Sequence, residues 1–101
     1  MRVFLIVKSF VPSRLKKEFD DWYENEHLLQ AKQIFYAISA SRGWEIEKGN
    51  VHYAYYEFDD LEKAKNILKS EALKKMINLY DKKWSNQIDR IRKIINITQE
   101  V

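Results

Sequence analysis

Two side chains that could move a proton lie one helical turn apart in the first third of the chain. Tyr23 and His27 are four residues apart, so their side chains meet on one face of a helix. An imidazole changes its protonation near neutral pH, and a neighbouring phenol could share the proton. We therefore expect His27 to act as a proton shuttle with Tyr23 as its partner. The alternative is a partly exposed His27 that bonds a backbone carbonyl.

Glu26, Arg42 and Trp44 are the candidates for contacts to a bound substrate or other ligand. Glu26 falls on the apolar stripe of the predicted helix, where a carboxylate needs a partner. Arg42 lies on a largely apolar strand face, where its guanidinium could hold an anion and Trp44 could help to orient the ligand. Pairing of Arg42 with Glu26 is the interpretation that we favour.

The composition excludes several kinds of catalytic site. The 101 residues contain no cysteine, which rules out disulfides, thiolate metal sites, iron–sulfur clusters and cysteine nucleophiles. There are only two histidines, and no Gly-rich phosphate loop, Ser-His-Asp set or paired carboxylates stand out. We therefore predict no metal and no cofactor, haem included. His52 follows a turn, and we expect it to face solvent or a dimer edge.

The first half of the chain predicts a strand, a helix and a β-hairpin. Residues 3–10 are β-branched and aromatic and end before Pro12, as expected for a strand. Ser13 can cap a helix that continues to about Lys32. The predicted apolar stripe of this helix is Leu15, Phe19, Trp22, Glu26 and Leu29. Residues 36–47 then alternate with a period of two, and Lys48-Gly49-Asn50 makes a tight turn to a third strand at 52–58.

The second half is predicted as one or two helices followed by a strand. Asp59 or Asp60 caps the first helix, and Ser70 can begin a second segment, although the pattern leaves a break there open. Residues 84–95 fit both a helix and a strand. We predict a helix to about Ile88 and a strand from residue 90 or 91 to residue 99.

These elements form one α+β domain over residues 1–101, with the order β-α-β-β-α-β. This order predicts a ferredoxin-like four-stranded antiparallel sheet with the helices on one face. Both residue sets of the first strand are apolar, and the hairpin region is rich in aromatic residues: Tyr36, Trp44, Tyr53, Tyr55, Tyr56 and Phe58. At about 25 cal/mol per Å², several aromatic side chains left in water would forgo many kcal/mol of burial. We therefore predict a homodimer in which two sheets pack face to face.

The segment from Phe19 to His27 reads Phe-x-x-Trp-Tyr-x-x-Glu-His. It resembles the first-helix motif of the EthD-like and antibiotic-biosynthesis-monooxygenase-like members of the dimeric α/β-barrel superfamily. These relatives usually carry a proline two residues after the histidine, where this chain has Leu29, so the helix can continue and His27 can point differently. The resemblance implies a closed barrel formed by two subunits, with a cleft between sheet and helices in each.

Two functions remain open at this stage. The resemblance implies relatives that include cofactor-free monooxygenases, polyketide cyclases, lactone isomerases and haem-degrading enzymes, so the fold does not fix the chemistry. We expect a homodimeric small-molecule-binding protein, either a cofactor-independent tailoring enzyme for an aromatic or polyketide-like compound or a non-catalytic binding or interaction module. An enzyme needs His27 on an open cavity, whereas a module tolerates it on the surface.

The charge and the hydropathy of the sequence limit the kinds of partner that we expect. The net charge is +3, and the second half of the chain is mildly basic. Its cationic residues alternate with acidic and apolar ones, as in a solvated helix face: Lys74, Lys75, Lys82, Lys83, Arg90, Arg92 and Lys93. Weak phosphate or RNA binding is a third, less favoured function. No stretch approaches the ~20 apolar residues of a membrane span, and no signal cleavage site is seen, so we expect a cytoplasmic protein.

Overall fold

The computed structural model describes residues 2–101 as a four-stranded antiparallel sheet with helices packed against it. The strands are β1 (Val3–Phe10), β2 (Ser39–Trp44), β3 (Val51–Phe58) and β4 (Asp89–Asn96). The helices are α1 (Lys16–Trp22), α2 (Leu28–Phe35), α3 (Leu61–Ile67) and α4 (Glu71–Trp84), and a 3₁₀ turn at Ser13–Leu15 precedes α1. The strand order is β2-β3-β1-β4. The predicted ferredoxin-like fold is confirmed.

Strand β1 lies in the middle of the sheet and shows how the two faces differ. Val3, Leu5 and Val7 are buried on the face that the helices cover, and the intervening residues are partly exposed. Because side chains alternate along a strand, the register extends this division to the neighbouring strands. We call the uncovered side the open face, with Phe4, Ile6, Lys8 and Phe10 of β1, Ser39, Ser41 and Gly43 of β2, Tyr53, Tyr55 and Glu57 of β3, and Ile91, Lys93 and Ile95 of β4.

Helices α1 and α2 are continuous through one wide turn at Tyr23–His27. The backbone N–H of Leu28 bonds the carbonyl of Tyr23, five residues earlier, which is the pattern of a π-turn. Such a turn inserts one residue into the α-helical repeat. After the turn, the residues that face the sheet are therefore one position further along the sequence than they would be in an uninterrupted helix.

This shift changes which residues of the helix are buried. The buried positions are Phe19, Tyr23, His27, Ala31 and Phe35. Glu26 is exposed, and Leu29 is 62% exposed. The predicted stripe through Glu26 and Leu29 is wrong, because the wide turn carries both residues to the solvent side. The helix also ends at Phe35 rather than near Lys32.

The hairpin of β2 and β3 is confirmed, but β2 is shorter than predicted. Tyr36 is not in the strand: it ends α2 in the left-handed conformation, with φ 55°, and is 90% exposed. The loop 45–50 closes with a bond from the Val51 N–H to the Lys48 carbonyl at 2.9 Å. Neither Gly49 nor Asn50 has a positive φ, so this turn does not require the backbone freedom of glycine.

In the second half of the chain, the structure answers two questions that the sequence left open: whether a helix breaks at Ser70, and where the next helix gives way to the last strand. The Asp60 carboxylate caps α3, and the Ser70 hydroxyl accepts from the Leu73 N–H at the start of α4, so the helix does break there. Helix α4 ends at Trp84 and not near Ile88, because the next two residues have φ 48° and 64°. Among residues 2–101, no helix is both long and apolar enough to cross a membrane.

Three cationic residues assigned to a solvated helix face lie instead on β4. Lys93 is on the open face, whereas Arg90 and Arg92 alternate with it and pair in register with Ser9 and Val7 of the covered face. The solvated helix face is therefore wrong for these residues, whereas the strand predicted from residue 90 or 91 is confirmed, although it ends at Asn96 and not at residue 99.

Replacing Tyr36 with glycine is expected to stabilise the protein by roughly 0.5–1 kcal/mol. The left-handed backbone strains a residue with a Cβ atom, and the exposed ring loses little packing. Urea unfolding followed by circular dichroism measures the change. Ile38→Gly is the matched control, since Ile38 is also exposed but has no positive φ, and it should destabilise. A less stable Tyr36→Gly variant would contradict the left-handed backbone.

Candidate functional site

A cluster of aromatic rings fills the space between α1, α4 and the covered face of the sheet. Phe19 is central, with ring centroids 5.0–6.3 Å from those of Trp22, Tyr23, Trp44, His52, Tyr80 and Trp84. His27 stacks on Trp22 at 4.0 Å with nearly parallel planes. The imidazole is thus held in one orientation by packing.

His27 is a buried residue, not a partly exposed one. It is 4% exposed, and its Nδ1 atom has no hydrogen-bond partner among the residues that the structure describes. Burial lowers the pKa of His27 to about 4, because the charged form loses its hydration. The ring is therefore neutral at pH 7 and would take a proton only from a strongly acidic group.

One small cavity reaches His27 from between the helices and the sheet. It has a volume of about 30 Å³, which is room for roughly two water molecules. Its walls are mostly apolar, with four polar or charged side chains among them: Val7, Ala31, Phe35, Leu73 and Met76, together with His27, Tyr80, Arg90 and Arg92. No carboxylate lines it. Of the five side chains expected at a site from the sequence, His27 lines this cavity and the other four do not.

Arg90 and Arg92 supply the positive charge at this cavity. The Arg90 guanidinium carbon lies 3.8 Å from the ring centroid of Tyr80, and its Nη2 donates to Asp81 at 3.3 Å. Arg92 makes no ion pair or hydrogen bond with any side chain between residues 2 and 101. Burial first, and then the nearby Arg90 charge, lower the pKa of Arg92. Sequence reasoning missed both arginines, although their spacing by two in a β-branched run was a usable signal.

Tyr23 contacts His27 but does not line this cavity. The two rings are 4.9 Å apart, and Tyr23 is fully buried. Burial raises the pKa of the Tyr23 phenol well above its usual value, so it stays protonated. The phenol that reaches the cavity is Tyr80, whose hydroxyl donates to Ser9 Oγ at 3.3 Å.

Arg42 and Trp44 bind Asp20 instead of Glu26 or the cavity. Asp20 Oδ1 accepts from Arg42 Nη1 at 2.7 Å and from Trp44 Nε1 at 2.8 Å. These bonds, that of Trp44 first, lower the pKa of the Asp20 carboxyl. The expected pairing of Arg42 with Glu26 is wrong, because the wide turn places Glu26 at the surface. Arg42 and Trp44 fasten the hairpin to α1.

His52 was expected at the surface, and this is wrong. It is fully buried on the covered face, with its Nε2 atom 3.4 Å from Arg42 Nη1 and its ring 4.5 Å from that of Tyr23. Burial lowers the pKa of His52 to about 3, and the Arg42 charge adds to the effect. This histidine belongs to the core and to the Asp20 network.

One group of carboxylates is close enough to share a cation. Oxygen atoms of Asp20 and Asp21 on α1 and of Glu24 in the wide turn lie within 4.8 Å of one another. Asp20 is already bonded to the hairpin, and Asp21 pairs with Lys17 at 2.9 Å. The proximity of these residues is explained by helical spacing and by these partners.

No protein-family model and no curated protein matches the chain. Solved structures match it closely in shape, among them an EthD family protein from Bacillus halodurans, with a TM-score of 0.72 and 17% identity over 97% of this chain and 100% of that one. The chain has the ferredoxin-like fold of EthD and antibiotic biosynthesis monooxygenase proteins. The resemblance found in the Phe19–His27 segment is confirmed for the fold.

Two other solved structures with the same fold have names that state an activity or an assembly. SnoaB, a cofactor-independent oxygenase from Streptomyces nogalater, has a TM-score of 0.67 and 12% identity over 99% of this chain and 96% of that one. A dimeric ferredoxin-like protein from an uncultured marine organism has a TM-score of 0.57 and 13% identity over 99% and 97%. At these identities the likeness establishes the fold and leaves activity open.

Acidification is expected to destabilise the protein between pH 6.5 and pH 4. In the unfolded chain His27 binds a proton near pH 6.5, whereas in the folded chain it does so only near pH 4. The unfolded state therefore holds more protons in this window, and the stability present above pH 6.5 falls by about 2–3 kcal/mol as the pH drops. His52 acts in the same direction and to a lower pH.

Urea unfolding of the wild type and of His27→Gln at pH 7 and pH 4.5 measures this dependence. The variant lacks the titrating ring, so its stability should change less between the two pH values. An NMR titration in which His27 protonates near pH 6.5 would contradict the buried neutral imidazole.

Proposed function

We propose that the protein is a homodimer that binds a small molecule in the cavity between its helices and its sheet. The observation that carries this proposal is the cavity itself, where neutral His27, Tyr80 and two arginines meet an otherwise apolar wall. Ligand sites combine apolar walls with a few convergent polar groups in this way. The cavity is small, so a ligand larger than a few atoms has to displace Leu73 or the flexible Met76 on α4.

The dimer is supported by the apolar character of the open face. Phe10, Ile91 and Ile95 are 38–45% exposed, and Tyr53 and Tyr55 lie beside them on β3. A hollow of about 190 Å³ between β3, β1 and β4 is lined by these tyrosines and isoleucines and by two lysines. An apolar sheet face with this relief is typical of a protein interface. A second copy matches it because both would bring the same apolar band, with the polar residues of β2 at one side.

The charges of the open face do not oppose this association strongly. Lys8 lies over the rings of Phe10 and Tyr53, 5.1 and 5.6 Å from their centroids. Glu57 is bonded to Arg2 and Ser39 near the end of the sheet. Lys8 thus covers apolar rings with its methylene groups and Glu57 is paired, and Lys93, which also lines the hollow, is the remaining charge of the open face.

The site residues allow two forms of the proposed function. As a cofactor-independent tailoring enzyme, the protein would use His27 to accept a proton from an aromatic or polyketide-like compound, and Tyr23 would act by positioning the imidazole. As a non-catalytic binding module, it would use His27 only as a neutral hydrogen-bonding group. The low pKa of His27 and the small cavity favour the binding module for ligands that are not themselves acidic.

Lysine substitutions in the open face are expected to separate the dimer. Ile91→Lys with Ile95→Lys places two more charges per subunit in the apolar band, which should make the protein monomeric in light scattering at micromolar concentration. Leu68→Lys is the control, because Leu68 directly follows α3, is 43% exposed and lies outside the open face. A wild-type protein that is monomeric under these conditions would refute the dimer.

Filling the cavity is expected to weaken binding of small aromatic compounds. Phenol and 1-naphthol serve as neutral probes, and titration calorimetry gives their dissociation constants. Ala31→Leu adds three carbon atoms at the cavity wall and should weaken binding about tenfold or more. Ala72→Leu adds the same atoms on α4 outside the cavity and should leave binding unchanged.

Changes in amide chemical shifts locate the bound probe. If the larger side chain of Ala31→Leu prevents folding, Ala31→Val is used in its place. Binding to both wild type and Ala31 variants with equal strength would place the ligand elsewhere. His27→Gln then separates the two forms: an enzyme loses turnover while it keeps binding, and a module has no turnover to lose.

A further inference from the structure

We propose that Arg92, assisted by Arg90, binds a carboxylate or another planar oxyanion of the small molecule in the cavity. This inference rests on the proposed function and specifies the ligand class: a compact anion whose remainder is apolar. It depends on the β4 arginines, which the motif in the first helix does not include.

The charge balance of the cavity is the first argument. Two guanidinium groups line it, and its walls contain no carboxylate. The Asp81 carboxylate pairs with Arg90 alone, from outside the cavity. Arg92 is half-buried and has no acidic partner among residues 2–101. A guanidinium that is partly withdrawn from water loses part of its hydration, and an anionic ligand would offset that loss.

The position of the arginines on a strand is the second argument. They are two residues apart on the same face of β4, which separates their Cα atoms by roughly 6.5–7 Å. Contact with the Tyr80 ring and the bond to Asp81 restrain Arg90, so its charge is fixed at the edge of the cavity. Arg92 has its donors uncommitted. A planar guanidinium matches a carboxylate with two parallel hydrogen bonds.

The rest of the cavity suits the apolar part of such an anion. Ala31 and Phe35 of α2 face Val7 of β1 across it, and Met76 can move to admit a ring. His27 does not compete for the anion as a cation, since at pH 7 its imidazole is neutral. Any preference for an anion at that pH therefore has to come from the arginines.

Benzoate and benzamide form a matched pair of probes, because they have the same shape and differ in charge. At pH 7 and low ionic strength, the wild-type protein should bind benzoate roughly 10- to 100-fold more tightly than benzamide, the size of effect expected for a charge-assisted hydrogen bond. Titration calorimetry or ligand-detected NMR measures both constants. The side-chain Nε–H signal of Arg92 should shift with benzoate and not with benzamide.

Two variants assign the preference to its residue. Arg92→Met should abolish the difference between the probes, and Arg92→Lys should retain part of it, since lysine keeps the charge without the planar fork. Arg14→Met removes one positive charge from an exposed position outside the cavity and should keep the preference. The wild-type probe pair gives an answer even where Arg92→Met does not fold.

The possible failures are distinguishable. Equal binding of benzoate and benzamide overturns the anion site and leaves the proposed ligand binding intact. A preference for benzoate that persists in Arg92→Met overturns the assignment to Arg92. If neither probe binds, and phenol and 1-naphthol do not bind either, the proposed function fails together with this inference.

Discussion

The wide turn at Tyr23–His27 determines what the first helix presents to the sheet. A regular α-helix would bring Glu26 toward the apolar interior, where an unpaired carboxylate costs several kcal/mol. One extra residue in the turn sends that carboxylate to solvent and brings in an imidazole, which can be buried in its neutral form. Trp22 then stacks on His27, Ala31 leaves space beyond it, and Phe35 closes the far wall. The cavity exists because of this local change in helical repeat.

The Asp20 network complements the turn by fixing where the helix lies along the sheet. Arg42 and Trp44 reach from β2 to one carboxylate oxygen, and hydrogen bonds to a charged group are worth about 1.5–3 kcal/mol each. These two residues have the chemistry of ligand-binding groups, but the structure uses them as tertiary anchors. The positive charge available to a ligand comes from the opposite edge of the sheet.

Local pattern was sufficient to predict the strands, the hairpin and the order of elements, because apolar alternation and turn residues act over a few positions. It was insufficient for the wide turn, since spacings of three and four fit residues 19–29 with or without an inserted residue. The direction of Arg90 and Arg92 was missed for a related reason: residues 84–95 suit two periodicities, and only the left-handed backbone after Trp84 decides between them. Asp20 as the partner of Arg42 required knowledge of how distant elements meet.

Adjacent residues of strand β4 lie on opposite faces of the sheet and therefore have different surroundings. Even-numbered positions 90 and 92 border the interior, while odd-numbered positions 91, 93 and 95 belong to the outer surface of the sheet. During evolution, substitutions can thus accumulate in two independent series, one at the even-numbered positions and one at the odd-numbered positions. A lineage could change the proposed ligand through one series while keeping the proposed dimer contact through the other, with no change in backbone.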